Sequence, residues 1–362
     1  MSQRERGVLI MAGGTGGHIF PGLAVAESLR QQGIPVSWLG ANGAMECQRV
    51  PAAGIELQTV DIRGVRGKGL WSWLGFPWRL SRAVAQAFKA VGSVSPVCAV
   101  SFGGYAAGPG GLAARLRGVP LLVHEQNRIP GMTNRVLARM AQTVLQAFPG
   151  TWPESLQAHS CGNPVRSSVL ALEAPATRME GRSGAARLLI TGGSQGARAL
   201  NRVLPAAVAL MPVDQRPQVL HQAGKGWRTE TGEAYQKAGV EAEVTEFIDD
   251  MAAAYSWADL VVCRAGALTV SELAAAGLAS VLVPFPHAVD DHQTMNAEFL
   301  VEAGAAELLP ENECSAEVLA GVFKRLLSDR ARLLAMAEAA RSVAVPDSAD
   351  RVAALCREFM PA

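Results

Sequence analysis

The chain has 362 residues, of which 49% are hydrophobic and 18% charged, and its formal net charge is +1. That length is too great for one ordinary core, so two domains are the default, and the composition is globular rather than disordered. The near-neutral charge argues against a general electrostatic hold on nucleic acid.

The six cysteines (Cys47, Cys98, Cys161, Cys263, Cys314 and Cys356) are scattered without a Cys-x-x-Cys pair. They read as reduced thiols, and no metal-ligand spacing accompanies them. No apolar run reaches the roughly 18 residues needed to cross a bilayer. The apolar stretch after the charged start is too short for a signal segment and suits a buried strand. The expectation is a protein that stays in the cytoplasm.

Along the first half, strands are expected at 8–11, 36–39, 97–100, 121–123 and 143–145, with helices at 23–32, 80–91, 111–116 and 134–140. Strands with helices between them argue for a parallel, doubly wound sheet. Near Cys161-Gly162-Asn163-Pro164-Val165-Arg166 the pattern pauses on a turn signal, which divides the chain into 1–163 and 164–345. The second half restarts with strands at 187–191, 218–221, 244–246, 260–263 and 280–283. Helices are expected at 196–210, 227–238, 269–276, 293–303 and over 315–342. A last helix, Ser348–Phe359, follows Pro346, and the segment 346–362 is expected to return to the first domain.

Two glycine turns stand out, each after an apolar strand and before a helix. They are Gly13-Gly14-Thr15-Gly16-Gly17-His18 and Gly192-Gly193-Ser194-Gln195-Gly196. Such turns expose backbone N–H groups at the positive end of a helix, which suits phosphate. Two of them suggest two α/β domains facing a shared cleft with a nucleotide-linked substrate in it. The turn Gly13–His18 matches neither the dinucleotide fingerprint nor the Walker motif, and no Gly-Lys in the chain is followed by Ser or Thr. His18 stands at the mouth of the expected cleft, where its ordinary pKa suits proton removal near neutrality. A tight turn with no ligand, and a structural histidine, are the plainer alternatives.

Further polar clusters follow strand ends: Ser101-Phe102-Gly103-Gly104-Tyr105, His124-Glu125-Gln126-Asn127, and Arg264 through Glu272. Thr269 and Glu272 have capping-box spacing, so Glu272 either caps its own helix or binds sugar hydroxyls. Asp291 reads as a helix N-cap, leaving Gln293 and Asn296 to bond a sugar. Trp71, Trp73, Phe76 and Trp78, flanked by Arg79, Arg82 and other cations, suit an anionic membrane surface, the alternative being a helix-packing patch.

Taken in order, these motifs resemble those of the bacterial peptidoglycan N-acetylglucosaminyltransferases of glycosyltransferase family 28. The resemblance spans essentially the whole chain. It implies the GT-B fold, two Rossmann-like domains facing a cleft. It also implies inverting transfer of N-acetylglucosamine from UDP-N-acetylglucosamine to the 4-hydroxyl of the N-acetylmuramoyl unit of lipid I, giving lipid II. Such an enzyme would sit peripherally on the cytoplasmic face of the inner membrane, with anionic lipids and other cell-wall synthesis proteins as partners.

By resemblance, Arg166, Ser194 and Gln195 would meet the donor diphosphate, and the backbone of Ile248 would meet uracil. Ala267, Leu268, Thr269, Val270, Ser271 and Glu272 would hold diphosphate and ribose, while Gln293 and Asn296 would hold the sugar. Thr15, Gly16, Gly17 and Asn127 would close over the donor. The acceptor diphosphate would lie on Gly13, Gly14, Ser101, Gly103, Gly104 and Tyr105.

Inversion needs a base, for which His18 is the first candidate and Glu125 the second. No Asp-x-Asp motif is present to hold a metal on the leaving diphosphate, so helix N-termini and Arg166 would neutralise it, with no cofactor. Two rivals stay open on the sequence: a UDP-N-acetylglucosamine epimerase, and a nucleotide-sugar sensor without turnover.

Overall fold

The computed structural model describes residues 6–62, 76–193 and 195–361. They form two compact units, Met1–Arg166 with Val345–Ala362, and Ser167–Ala344. Each is a parallel sheet covered by helices on both faces, the doubly wound plan expected from the alternation of strands and helices.

In the first unit the strand order is β3-β2-β1-β4-β5-β6-β7, and the pairings among the described residues are parallel. The strands are β1 Val8–Ala12, β2 Val36–Ala41, β3 Glu56–Val60, β4 Cys98–Gly103, β5 Leu121–Glu125, β6 Thr143–Gln146 and β7 His159–Ser160. The order reverses between β1 and β4, so the loops after these two strands flank the switch point where open α/β sheets bind ligands. The central strands are buried on both faces and therefore read as continuous apolar runs. The helix Ser348–Arg357 packs on the helix Gly16–Gln31, where the Ser28 hydroxyl donates to Asp350 at 2.6 Å.

The second unit repeats the plan with the order β10-β9-β8-β11-β12-β13. Its strands are β8 Arg187–Thr191, β9 Gln218–Gln222, β10 Glu243–Thr245, β11 Leu260–Cys263, β12 Ala279–Leu282 and β13 Ala306–Leu308. Here the switch lies between β8 and β11. One core joins Leu188, Ile190, Leu260 and Val262 to Leu204, Phe323 and Leu333 of the covering helices.

Three strands, β3, β7 and β13, escape the sequence reading. They are edge-ward, short, or rich in polar residues (Glu56-Leu57-Gln58-Thr59-Val60), so they lack the apolar run that a strand buried on both faces displays.

Candidate active site

The first glycine turn leaves β1 at Ala12 and enters the helix Gly16–Gln31, whose N-cap is Thr15. The Trp38 indole N–H donates to the Ala12 carbonyl at 2.9 Å and fixes the strand end. His18 lies in the first helical turn, half-buried, with its Nδ1 3.2 Å from Thr15 Oγ1. Its ring lies against Gly103, where an added Cβ would be 3.2 Å from Cδ2 and 3.3 Å from Nε2. Gly104 approaches Gly13 backbone to backbone, since a Cβ on Gly104 would stand 2.1 Å from the Gly13 carbonyl oxygen. The ring of Tyr105, itself exposed, lies beside Gly14. The turns after β1 and β4 thus form one surface at the switch point, carrying Thr15, Gly16, Gly17, His18, Gly103, Gly104 and Tyr105.

Two expectations on this surface need correction. The Gly14 N–H is not offered to a ligand: it donates to Glu46 Oε2 at 3.1 Å. Ser101 is fully buried, with its hydroxyl donating to Asn134 Oδ1 at 3.0 Å and accepting from the Gly103 N–H, so it braces the turn from below. Glu46 and Asn134 carry no local motif that marks them. Their roles arise from pairing between segments far apart in the chain.

Glu125 ends β5, is 1% exposed, and accepts four hydrogen bonds. Oε1 takes the Asn127 N–H and Nδ2, both at 3.0 Å, and Oε2 takes the Gly131 N–H at 3.1 Å and Asn134 Nδ2 at 2.9 Å. Its lone pairs are spent on holding the loop 125–134. His124 is fully buried, and burial lowers its pKa to about 4 against the raising effects of the Gly162 carbonyl and the Glu125 charge. The neutral ring donates from Nε2 to Gly162 O at 2.9 Å and accepts from Gln126 Nε2 at Nδ1. Arg166 is half-buried with its guanidinium 5.2 Å from the Phe20 ring centroid.

In the second unit Gly192 and Gly193 follow β8, and Ser194 lies outside the described residues. Gly196, at φ +76°, packs backbone to backbone against Gly224 at the end of β9, and Gln222 Nε2 donates to the Gly193 carbonyl at 3.1 Å. Gln195 is exposed. Gly224 is absent from the sequence reading because a lone glycine past a strand has no distinctive pattern.

The helix Ala267–Ala276 starts directly after the β11 turn with Gly266 as N-cap. Thr269 and Glu272 therefore lie inside the helix, and the capping-box alternative fails. Glu272 is 4% exposed, and Oε2 accepts from the Tyr255 hydroxyl at 3.1 Å. Ala267 and Val270 are buried, Leu268, Thr269 and Ser271 are half-buried, and the Ser271 hydroxyl bonds back to the Ala267 carbonyl. Arg264 donates to the carbonyls of Val283 and Pro284, pairs with Glu311, and fixes the start of the next loop.

That loop carries two consecutive left-handed residues, Asp290 at φ 54° and Asp291 at φ 50°. Asp291 precedes the helix His292–Glu302 but makes no side-chain cap; its carboxylate accepts from the Thr294 hydroxyl at 2.7 Å. Gln293 Oε1 accepts from the Phe285 N–H at 2.9 Å. Asn296 is fully buried and donates to the Ala265 carbonyl at 3.2 Å, so it supports the β11 turn from inside rather than reaching a sugar. Ile248 is half-buried.

Trp71 and Trp73 lie outside the described residues. Phe76 opens the helix Phe76–Val94, Trp78 is 78% exposed, and Arg82 pairs with Asp61 at 3.6 Å. Among the described residues no helix is long and apolar enough to cross a membrane.

Residues 8–146 match the glycosyltransferase family 28 N-terminal domain, and residues 187–352 match the glycosyltransferase family 28 C-terminal domain. The chain belongs to glycosyltransferase family 28. A relative from Xanthomonas campestris pv. campestris is 58% identical over 96% of this chain and 81% of its own. One from Xylella fastidiosa is 56% identical over 98% and 96%. Both are named UDP-N-acetylglucosamine–N-acetylmuramyl-(pentapeptide) pyrophosphoryl-undecaprenol N-acetylglucosamine transferase. The crystal structure of Acinetobacter baumannii MurG superposes with a TM-score of 0.83 at 42% identity, covering 98% of this chain and 99% of that one. For a family 28 chain, the loops at the two switch points are where a nucleotide sugar and its acceptor are to be sought.

Proposed function

We infer that this chain is a hexosyltransferase that moves N-acetylglucosamine from UDP-N-acetylglucosamine to the N-acetylmuramoyl unit of the undecaprenyl-pyrophosphoryl acceptor, giving lipid II. The observation that carries this reading is the 56–58% identity, over nearly the whole chain, with transferases named for that reaction. The test is product formation from labelled donor and lipid-linked acceptor. UDP release without a glycosylated lipid, or epimerised sugar in its place, would overturn it.

In the proposed mechanism His18 is the base. The contact between its Nδ1 and Thr15 Oγ1 orients the ring, and Nε2 takes the proton of the acceptor 4-hydroxyl. The oxygen then bonds the anomeric carbon from the face opposite UDP, and the bond to the diphosphate oxygen breaks with inversion. Glu125, with four hydrogen bonds already made, serves as an anchor for Asn127 and the loop behind it.

The second unit holds the donor in this reading. The N–H groups of the first turn of Ala267–Ala276 and of the turn after β8, with Ser194 and Gln195, meet the diphosphate, and Arg166 adds a cation. The Ile248 backbone meets uracil, Glu272 a ribose hydroxyl, and Gln293 the sugar. The Gly16 and Gly17 N–H groups, Thr15 and Asn127 are further donor contacts in this reading, and the acceptor diphosphate lies on the Gly103-Gly104-Tyr105 turn. The leaving group is stabilised by these dipoles and cations without a metal. Turnover should therefore persist in chelator, and strong, reversible loss there would count against the scheme.

Trp78, Leu116 and Met132 are exposed on three successively packed helices, Phe76–Val94, Ala107–Leu116 and Met132–Ala138, amid exposed Arg79, Arg115 and Arg135. Apolar tips ringed by cations support peripheral binding to anionic lipid on the cytoplasmic face of the inner membrane, with about 1 kcal/mol from each cation near the surface.

A further inference from the structure

The first glycine turn is built around a buried carboxylate. Glu46 opens the short helix Glu46–Ala52, is fully buried, and has no cation paired with it among the described residues. Its Oε2 accepts from the Gly14 N–H at 3.1 Å and its Oε1 from the Ala41 N–H at 2.7 Å, so it joins the loop after β1 to the end of β2. The neighbouring glycines leave room for it: a Cβ on Gly13 would stand 2.3 Å from Oε1, and one on Gly40 2.5 Å from Cγ. Gly13 in turn is the backbone on which Gly104 rests, and Gly103 touches the His18 ring. A buried carboxylate without a cation is costly unless its hydrogen bonds are well made. It therefore fixes those N–H groups more firmly than a neutral acceptor would.

We propose that Glu46 is a positioning residue for the transfer. By holding the Gly14 N–H it sets the height of the turn from which Thr15 and His18 project, and it keeps the turns after β1 and β4 in register. It also removes Gly14 from the anion-binding donors, leaving the Gly16 and Gly17 N–H groups as the donors of that turn. The proposal rests on His18 as the base.

The test uses the full-length enzyme and the variant Glu46→Gln, whose single carboxamide oxygen can serve only one of the two N–H groups. Turnover should fall about 10- to 100-fold, as expected for a slight misplacement of a reacting group, while donor KM stays within about twofold. In a His18→Ala background the same substitution should add less than about threefold, because its effect passes through His18. Turnover within about twofold of the parent, donor KM rising as turnover falls, or a fully multiplicative loss in the double variant would each overturn the proposal. A near-normal His18→Ala single variant would instead remove the base assignment.

If Glu46→Gln does not fold, Gly13→Ala provides the second route. Its methyl pushes Oε1 off the turn and should reproduce the turnover loss. In a Glu46→Ala background, where that space is open, it should cost nothing more, and an added loss there refutes the role of Glu46.

Discussion

The turns after β1 and β8 occupy the same place in their sheets and are held in different ways. After β1, side chains grip the backbone: Glu46 takes the Gly14 N–H, Ser101 takes the Gly103 N–H, and Asn134 joins Ser101 to Glu125. After β8, backbone packs on backbone at Gly196 and Gly224, and Gln222 donates to the Gly193 carbonyl. Among the described residues no carboxylate accepts from the second turn. One strand–turn–helix unit thus serves two purposes. The second, a turn held by backbone packing with no carboxylate bonded to it among the described residues, suits a nucleotide diphosphate. The first accepts a buried anion in exchange for a rigid stage, which suits a base whose position governs rate.

The strongest way to break this contrast is His18→Ala. Turnover should drop roughly 10²- to 10⁴-fold, the usual worth of a positioned general base, with donor affinity nearly unchanged. Donor affinity that fell in parallel would mean that His18 holds the donor rather than acting as the base. Glu272→Gln tests the other side. It should raise donor KM about 10- to 100-fold and leave bound-state chemistry less affected, because a charge-assisted bond to a hydroxyl is lost. Tyr255→Phe, which removes only the phenol that orients Glu272, should show a smaller rise. Equal damage from both would reduce Glu272 to a core partner of Tyr255.

Gly196→Ala sharpens the claim that the second turn is held by its backbone. The residue has φ +76°, and its Cβ would lie 2.2 Å from the Ala223 carbonyl oxygen. The substitution should destabilise by about 1–3 kcal/mol and weaken UDP binding. Gly193→Ala shares the left-handed φ of +77° but meets open space, so it should melt closer to the parent. Equal melting temperatures would show that the contact with Gly224 contributes nothing.

Much of this was legible in the chain, for definite reasons. Strands buried on both faces leave apolar runs, and glycine turns after them mark the switch points, so β1, β4, β8 and β11 and their loops could be placed from residues alone. Side chains acting at a distance could not. Asn296 and Ser101 look like ligand groups in a list of polar residues, yet helix and strand periodicity turn them inward, to the Ala265 carbonyl and to Asn134. The spacing of Thr269 and Glu272 matches a capping box, but Gly266 starts the helix three residues earlier and takes both out of register. Glu46 was invisible because its partners, Gly14 and Ala41, come from the turn after β1 and the end of β2.

The smallest expected effect compares the buried histidines. His221 on β9 is pushed down to about 3 by burial alone, and it bonds Tyr235 and Asn201. His124 on β5 is lowered less, to about 4, because the Gly162 carbonyl and the Glu125 charge offset part of its burial. Both folded values lie below the ordinary 6.5, so between them and 6.5 the unfolded chain binds more protons. Stability is therefore whole above pH 6.5 and declines on acidification, by at most roughly 1.4 kcal/mol per pH unit for each histidine. The His124 contribution should level off near pH 4, while that of His221 continues toward pH 3. Thermal melts from pH 7 to pH 4.5 should show this decline, and His221→Gln should halve its slope. A melting temperature that is flat or rises on acidification would mean that neither ring is held neutral. A slope unchanged in His221→Gln would place the whole effect in the first unit, where a carboxylate already lies beside the imidazole.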